Sequence, residues 1–296
     1  MEKKGEIMKR IGFIGVGIMG KSMVRNLMKN GYEVYIYTRT KSKIEDIIAE
    51  GAIWCENVAD TAKNKDIVIT IVGYPKDVEE VYLGKGGIVD NADKGTYIVD
   101  MTTTDPKLAV KINELALNKG LKSLDAPVTG GDMGAKTGTL TILVGGDEKD
   151  FSACLPVFEA MGKNINYMGK AGNGQHTKMA NQIAIAGTLA ADCEAIAYAQ
   201  NVGLDVSDVV KAIGTGAAGS NQLNANAGKI IDGNMLPGFF IKHFIKDMKL
   251  AKKEADIKGL ELPVLSKVLS MYEDMENDGK ANLGTQALIL KYDKNH

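Results

Sequence analysis

The segment Ile11-Gly12-Phe13-Ile14 runs directly into Gly15-Val16-Gly17-Ile18-Met19-Gly20, and a helical stretch to Asn30 follows. A short apolar strand, a glycine turn and a helix in immediate succession constrain the fold more than any other feature of the chain. Gly15 permits the tight turn, Gly17 lets the backbone approach a pyrophosphate, and Gly20 lets the helix pack closely on the strand. The amides of the first helical turn, those of Ile18 and Met19 among them, face outward with the positive end of the helix dipole, which favours phosphate. Gly31 closes the helix as a C-terminal glycine does. The turn lies inside a strand-helix-strand unit of about thirty residues, the setting in which this spacing marks a dinucleotide site rather than a purely structural bend.

The pattern continues beyond the first unit. Val34–Tyr37, Ile67–Val72 and Tyr97–Val99 are apolar runs of strand length. Ser42–Glu50, Asp77–Leu83 and Pro106–Lys119 have helical patterns between them. Such alternation predicts a parallel, doubly wound sheet of the Rossmann type. Leu121–Leu124, Thr139–Val144 and Asn164–Tyr167 extend the sheet at one edge. After Gly174 the texture becomes helical throughout, with turns at Gly203, Gly214 to Gly219, Gly233 and Gly259. Gln175 to about Val202 reads as one alanine-rich helix roughly 40 Å long. The expected organisation is therefore α/β followed by all-α. Residues 1–171 form a dinucleotide-binding Rossmann domain, and residues 172–296 an all-helical substrate and oligomerisation domain built on the long interdomain helix.

Composition excludes several classes. A chain of 296 residues exceeds one small core, and two domains are the expectation. Charged residues are 25% with a formal net charge of -1, so no basic footprint for nucleic acid exists. Cys55, Cys154 and Cys193 form no CxxC pair and read as core residues of a reducing compartment. His176, His243 and His296 lack metal-ligand spacing, so no metal site is expected. The most apolar long stretch, Ile183–Ala199, contains Asp192 and Glu194 and argues for a buried helix over a membrane span. The charged start, Met1 to Arg10, lacks the apolar core of a signal peptide and reads as a short polar arm. A cytoplasmic, soluble protein is expected.

Cofactor choice is readable after the second strand. An NAD site places an acid there for the ribose 2'-hydroxyl. Here Thr38-Arg39-Thr40-Lys41-Ser42-Lys43 carries none before Glu45. Arg39 suits a 2'-phosphate, with Thr38, Thr40 and Lys43 as further donors, so NADP is favoured while NAD stays possible.

A second motif supplies chemistry. Gly172-Asn173-Gly174-Gln175-His176-Thr177-Lys178-Met179-Ala180-Asn181-Gln182 leads from a glycine turn into the long helix, with Lys178, Asn181 and Gln182 on one face. Hydride transfer to an aldehyde leaves an alkoxide that needs a proton, and the reverse reaction needs a base. Lys178 fits that role, since burial and a second cation such as Lys246 lower a lysine's pKa.

Taken together the motifs resemble those of the beta-hydroxyacid dehydrogenase family, which includes 3-hydroxyisobutyrate dehydrogenases, tartronate semialdehyde reductases and glyoxylate/succinic semialdehyde reductases. The likeness runs from Ile11 to about Leu290. It rests on the N-terminal glycine signature, Asp125-Ala126-Pro127-Val128-Thr129-Gly130-Gly131, the Lys178 segment and Phe244-Ile245-Lys246-Asp247-Met248. The resemblance implies that Thr129, Gly130, Gly131 and Asn181 bind a small carboxylate-bearing substrate. It also implies that Lys246 lies over the cofactor or substrate, with Asp247 fixing the nearby backbone. Val72, Gly73, Thr102 and Thr103 would line the nicotinamide side. Gln182 would support that shell rather than touch substrate. Two positions depart from the family pattern: Thr129 stands where Ser is usual, and Gly73 where Leu-Pro is common.

The expected activity is reversible hydride transfer between NADPH and a small semialdehyde carboxylate or 3-hydroxy acid, in a homodimer or homotetramer. An imine reductase-like enzyme is the alternative, but relatives of that kind usually replace the lysine. A non-catalytic NADP-binding sensor is the reading from another class. A 6-phosphogluconate dehydrogenase would be a much longer chain.

Overall fold

The computed structural model describes residues 8–292, so most of the N-terminal polar arm, and His296, lie outside the described residues. The chain divides into two compact units, one ending at Lys178 and the other beginning at Met179.

In the first unit the glycine turn joins β1 (Arg10–Ile14) to α1 (Ile18–Lys29), and β2 (Glu33–Tyr37) follows. A 3-10 turn at Lys41–Lys43 and the short α2 (Glu45–Ala49) replace the single helix expected over Ser42–Glu50. Next come β3 (Ile53–Trp54), α3 (Val58–Ala62), β4 (Ile67–Thr70), α4 (Pro75–Leu83), α5 (Ile88–Asn91) and β5 (Tyr97–Asp100). The remainder is α6 (Pro106–Asn118), β6 (Lys122–Asp125), β7 (Val128–Thr129), α7 (Gly131–Thr137), β8 (Leu140–Gly146), α8 (Glu148–Glu159) and β9 (Gly162–Tyr167).

The strands form one sheet in the order β3-β2-β1-β4-β5-β6-β8-β7, with β9 on β8. Pairings from β3 through β6 are parallel, β8 runs antiparallel to β6 and β7, and β9 is parallel to β8. Because β1 lies between β2 and β4, chain order reverses there. That switch point opens a crevice beyond the strands' C-terminal ends. Strand periodicity explains the two apolar layers. Phe13, Ile67, Ile69 and Val99 pack with Met23 and Leu27 of α1 on one face. Ile14, Val68 and Ile98 pack with Tyr82 and Ile112 on the other.

Two glycines hold the turn together. Gly15 has φ 100°, and a Cβ there would collide with the Ile71 carbonyl. A Cβ on Gly20 would collide with the Gly15 carbonyl and lie 3.3 Å from Phe13. Helix α1 can therefore sit on β1 only without a side chain at that position.

Helix α9 (Asn173–Asn201) begins in the last residues of the first unit and continues into the second. Its 29 residues span about 43 Å. The second unit adds α10 (Val206–Gly214), α11 (Asn221–Ile231), α12 (Ile241–Ile257), α13 (Pro263–Asn277) and a 3-10 segment, Thr285–Lys291. Asp205 and Ser220 cap α10 and α11 through their side chains. Leu189, Ile196, Phe244, Met248, Leu269 and Tyr272 form its core. Among the described residues, no helix is long and apolar enough to cross a membrane.

Candidate active site

At the switch point, α1 presents its N-terminus. The N-cap is Gly17, so no side-chain oxygen caps the helix, and the first turn carries no acid. A Cβ built on Gly17 meets nothing within 4 Å. Ile18 is exposed and Met19 half-buried. Helix geometry leaves the amides of Ile18, Met19 and Gly20 without intrahelical acceptors, and the space beside the Gly17 N-cap is open. The residues present therefore fit a pyrophosphate.

Beyond β2, Thr38 is half-buried, while Arg39, Thr40 and Lys43 are exposed. The Arg39 guanidinium lies 3.4 Å from Asp77 Oδ1. The other Asp77 oxygen accepts the Tyr74 amide at the start of α4 at 3.0 Å. Sequence reasoning passed over Asp77, an acid one helix away in space although 38 positions away in the chain.

The strand ends at β4 and β5 are locked by a buried carboxylate. Asp100 Oδ1 accepts the Thr70 hydroxyl at 2.9 Å and the Thr102 amide at 3.0 Å. The Thr102 hydroxyl in turn accepts the Val72 amide at 2.9 Å. Burial pushes the Asp100 carboxyl up to about 6, against the Thr102 and Thr70 hydrogen bonds that favour its charged form. Val72, Gly73 and Thr103 remain half-buried at the rim, while Thr102 is buried within the framework.

A second buried carboxylate fixes the start of α9. Asp125 accepts the Gly172 amide at 2.7 Å and the Gln175 amide at 2.9 Å. Burial raises its pKa while these backbone amides pull it back. The Gln175 side chain then reaches the β5 rim, accepting from the Thr104 amide at 2.9 Å and donating to the Thr102 carbonyl at 2.8 Å. One turn further along the helix, Lys178 is 6% exposed, an unusual degree of burial for a lysine. His176 is exposed on another face.

Thr129 ends β7 opposite Thr141 and is half-buried. Gly130 and Gly131 follow with φ of 123° and 62° and lead into α7.

Within the second unit, four polar side chains form a chain of contacts. Asn181 donates to Gln182 at 2.8 Å, and Gln182 donates to Asp247 Oδ2 at 2.7 Å. Lys246 Nζ lies 2.9 Å from Asp247 Oδ1, an ion-pair contact outside hydrogen-bonding alignment. The Asp247 carboxylate thus meets side chains from α9 and α12. Nearby His243 is pushed down by burial and then by Lys246. The cysteines are buried, and burial pushes the Cys193 thiol up to about 12, far from a thiolate nucleophile.

Residues 10–169 match the NAD binding domain of 6-phosphogluconate dehydrogenase. Residues 172–292 match the NAD-binding domain of NADP-dependent 3-hydroxyisobutyrate dehydrogenase. The chain belongs to the beta-hydroxyacid dehydrogenase family. It is 54% identical to an uncharacterised oxidoreductase of Bacillus subtilis, over 95% of this chain and 97% of that one. It is 43% identical to a probable mitochondrial 3-hydroxyisobutyrate dehydrogenase-like protein of Arabidopsis thaliana, over 96% and 85%. The solved 3-hydroxyisobutyrate dehydrogenase of Mycobacterium tuberculosis, determined with L-serine, superposes with a TM-score of 0.88 at 28% identity, over 96% and 99%. As a beta-hydroxyacid dehydrogenase, the protein is an NAD(P)-dependent oxidoreductase with a Rossmann-type domain followed by a helical one.

Proposed function

We propose that the protein is an NADPH-preferring reductase of a small semialdehyde carboxylate, reversible as a 3-hydroxyacid dehydrogenase, with Lys178 as its general acid and base. The observation that carries this reading is a buried lysine one turn from the pinned start of α9, in a chain of a dehydrogenase family. When bound, the nicotinamide supplies or accepts the hydride. The chain's own residues do the rest.

The first-turn amides of α1, at Ile18, Met19 and Gly20, would hold the pyrophosphate over the Gly15-Val16-Gly17 turn. Arg39, with Thr38, Thr40 and Lys43, would pair with a 2'-phosphate, since no acid stands before Glu45 to favour a free hydroxyl. Val72, Gly73 and Thr103 form the rim for the nicotinamide end, and Thr102 holds that rim in shape through Val72.

Thr129 and the backbone amides of Gly130 and Gly131 would take the substrate carboxylate, the successive positive φ values turning those amides into an anion nest. Asn181 and Lys246 would orient the substrate, each steadied by its contact with Gln182 or Asp247. Lys178 Nζ donates a proton to the carbonyl oxygen as it becomes an alkoxide, and takes it back in the reverse direction. Catalysis of that proton transfer is worth about 10²–10⁴ in rate.

The decisive experiment follows NADPH and NADH oxidation with glyoxylate, succinic semialdehyde, tartronate semialdehyde and methylmalonate semialdehyde. Turnover of at least one, faster with NADPH, is expected. Silence on all four with NADPH bound would reject the substrate class. A preference for NADH would reject the cofactor reading.

A further inference from the structure

We infer that Gln175 is a positioning residue that fixes the nicotinamide rim at Thr103 in register with Lys178. Its catalytic half rests on the reductase reading above; its structural half does not.

The Gln175 side chain is fully buried, yet it belongs to neither the glycine turn nor the substrate loop. Its carbonyl oxygen accepts from the Thr104 amide at 2.9 Å, and its NH2 group donates to the Thr102 carbonyl at 2.8 Å. One planar amide therefore takes both backbone groups that flank Thr103, one donor and one acceptor, as a neighbouring strand would. The backbone of Gln175 is itself tethered, its amide donating to Asp125 Oδ2 at 2.9 Å. That anchor extends to the preceding turn through Gly172. Gln175 has no freedom to follow a moving rim, and the rim is held to the helix.

Lys178 stands three residues further along α9, one turn away on the same side of the helix. The path from Thr103 to Lys178 thus passes through two side-chain hydrogen bonds and one helical turn, all within the first unit. Proton and hydride must reach the same carbonyl group in one geometry, and a misplacement of about 1 Å at such a centre lowers turnover on the order of a hundredfold. Glutamine is the residue that satisfies both backbone groups at once. In Gln175→Glu, an ionised carboxylate would accept from Thr104 but repel the Thr102 carbonyl. Protonation of that carboxylate would restore the donor.

Two variants, Gln175→Met and Gln175→Glu, test this by three readouts. Amide hydrogen exchange at Thr104 in the nucleotide-free protein is expected to quicken at least tenfold in Gln175→Met while thermal unfolding remains cooperative. NADPH affinity, read from nicotinamide fluorescence, is expected to stay within about threefold. The kcat for the best semialdehyde is expected to fall ten- to a hundredfold with KM changed far less. Gln175→Glu is expected to regain kcat relative to wild type as pH falls and its carboxyl takes up a proton.

Thr104 protection equal to wild type in Gln175→Met overturns the inference. So does unchanged kcat in a folded variant, or a loss that tracks only the folded fraction with no pH-dependent recovery in Gln175→Glu. A wild-type protein silent on every semialdehyde rejects the substrate reading instead. Thr104 exchange then decides the structural half, and the catalytic half falls with the reading.

Discussion

The Asp125 carboxylate accepts the backbone amide of Gly172 at 2.7 Å across 47 positions of sequence. It joins the end of β6 to the glycine turn from which the Lys178 helix starts. The same carboxylate takes the Gln175 amide, so a single buried acid serves as the N-terminal anchor of a 29-residue helix. A negative charge at that end is also favoured by the helix dipole. The motif Asp125-Ala126-Pro127 therefore has a structural reason for its acid, separate from the substrate loop that follows it.

Lys178→Ala is expected to lower kcat by about 10²–10⁴ while NADPH still binds. Steady-state kinetics beside a fluorescence titration check both halves. Near-normal turnover in that variant would remove Lys178 from the mechanism.

Arg39→Ala is expected to weaken NADPH on the order of ten- to a hundredfold, the range of a charge-assisted hydrogen bond, and NADH much less. Dissociation constants for both nucleotides decide it. Equal losses would mean that Arg39 recognises something common to the two.

Asp100 makes stability depend on pH. Its carboxyl is raised from 3.8 to about 6 in the folded protein, so the folded state holds that proton more tightly than the unfolded one. The resulting stabilisation is fully present below about pH 4 and lost as pH rises through 6, about 3 kcal/mol in all. Urea unfolding of wild type and Asp100→Asn between pH 4 and 7.5 isolates the contribution. The wild type should lose stability relative to the variant as pH rises; parallel curves would refute the assignment.

Asp247→Ala is expected to destabilise the protein by about 3 kcal/mol, because it removes a buried carboxylate that both Gln182 and Lys246 face. Asp247→Asn should recover part of the loss, since its amide oxygen still accepts from Gln182. Chemical denaturation of the two variants tests this, and identical stabilities for Ala and Asn would count against the Gln182 contact.

Much of this architecture is legible in the sequence because it depends on local rules. The Gly15–Gly20 spacing needs only a strand before it and a helix after it. Alternating apolar runs placed β1, β2, β4, β5 and β6, and alanine-rich helical texture placed α9. Short elements escaped for the same reason. β3 and β7 have two residues each, too few for any period to register. Helix α8 contains Pro156, which obscures its pattern, although Asp147 before Glu148 is a readable N-cap.

The sequence by itself determined the candidates for chemistry: Lys178 and Arg39 stand out by side-chain type and spacing, and the Thr129-Gly130-Gly131 run by its resemblance to the family's substrate loop. Tertiary structure alone decided what holds them. Asp125 meeting Gly172, Gln175 meeting Thr102 and Thr104, Asp77 meeting Arg39, and Asp247 meeting Gln182 are pairings between distant segments. No local period encodes such a pair. A buried polar group must find a partner wherever the fold brings one within about 3 Å, and only the packed sheet and helices set that distance.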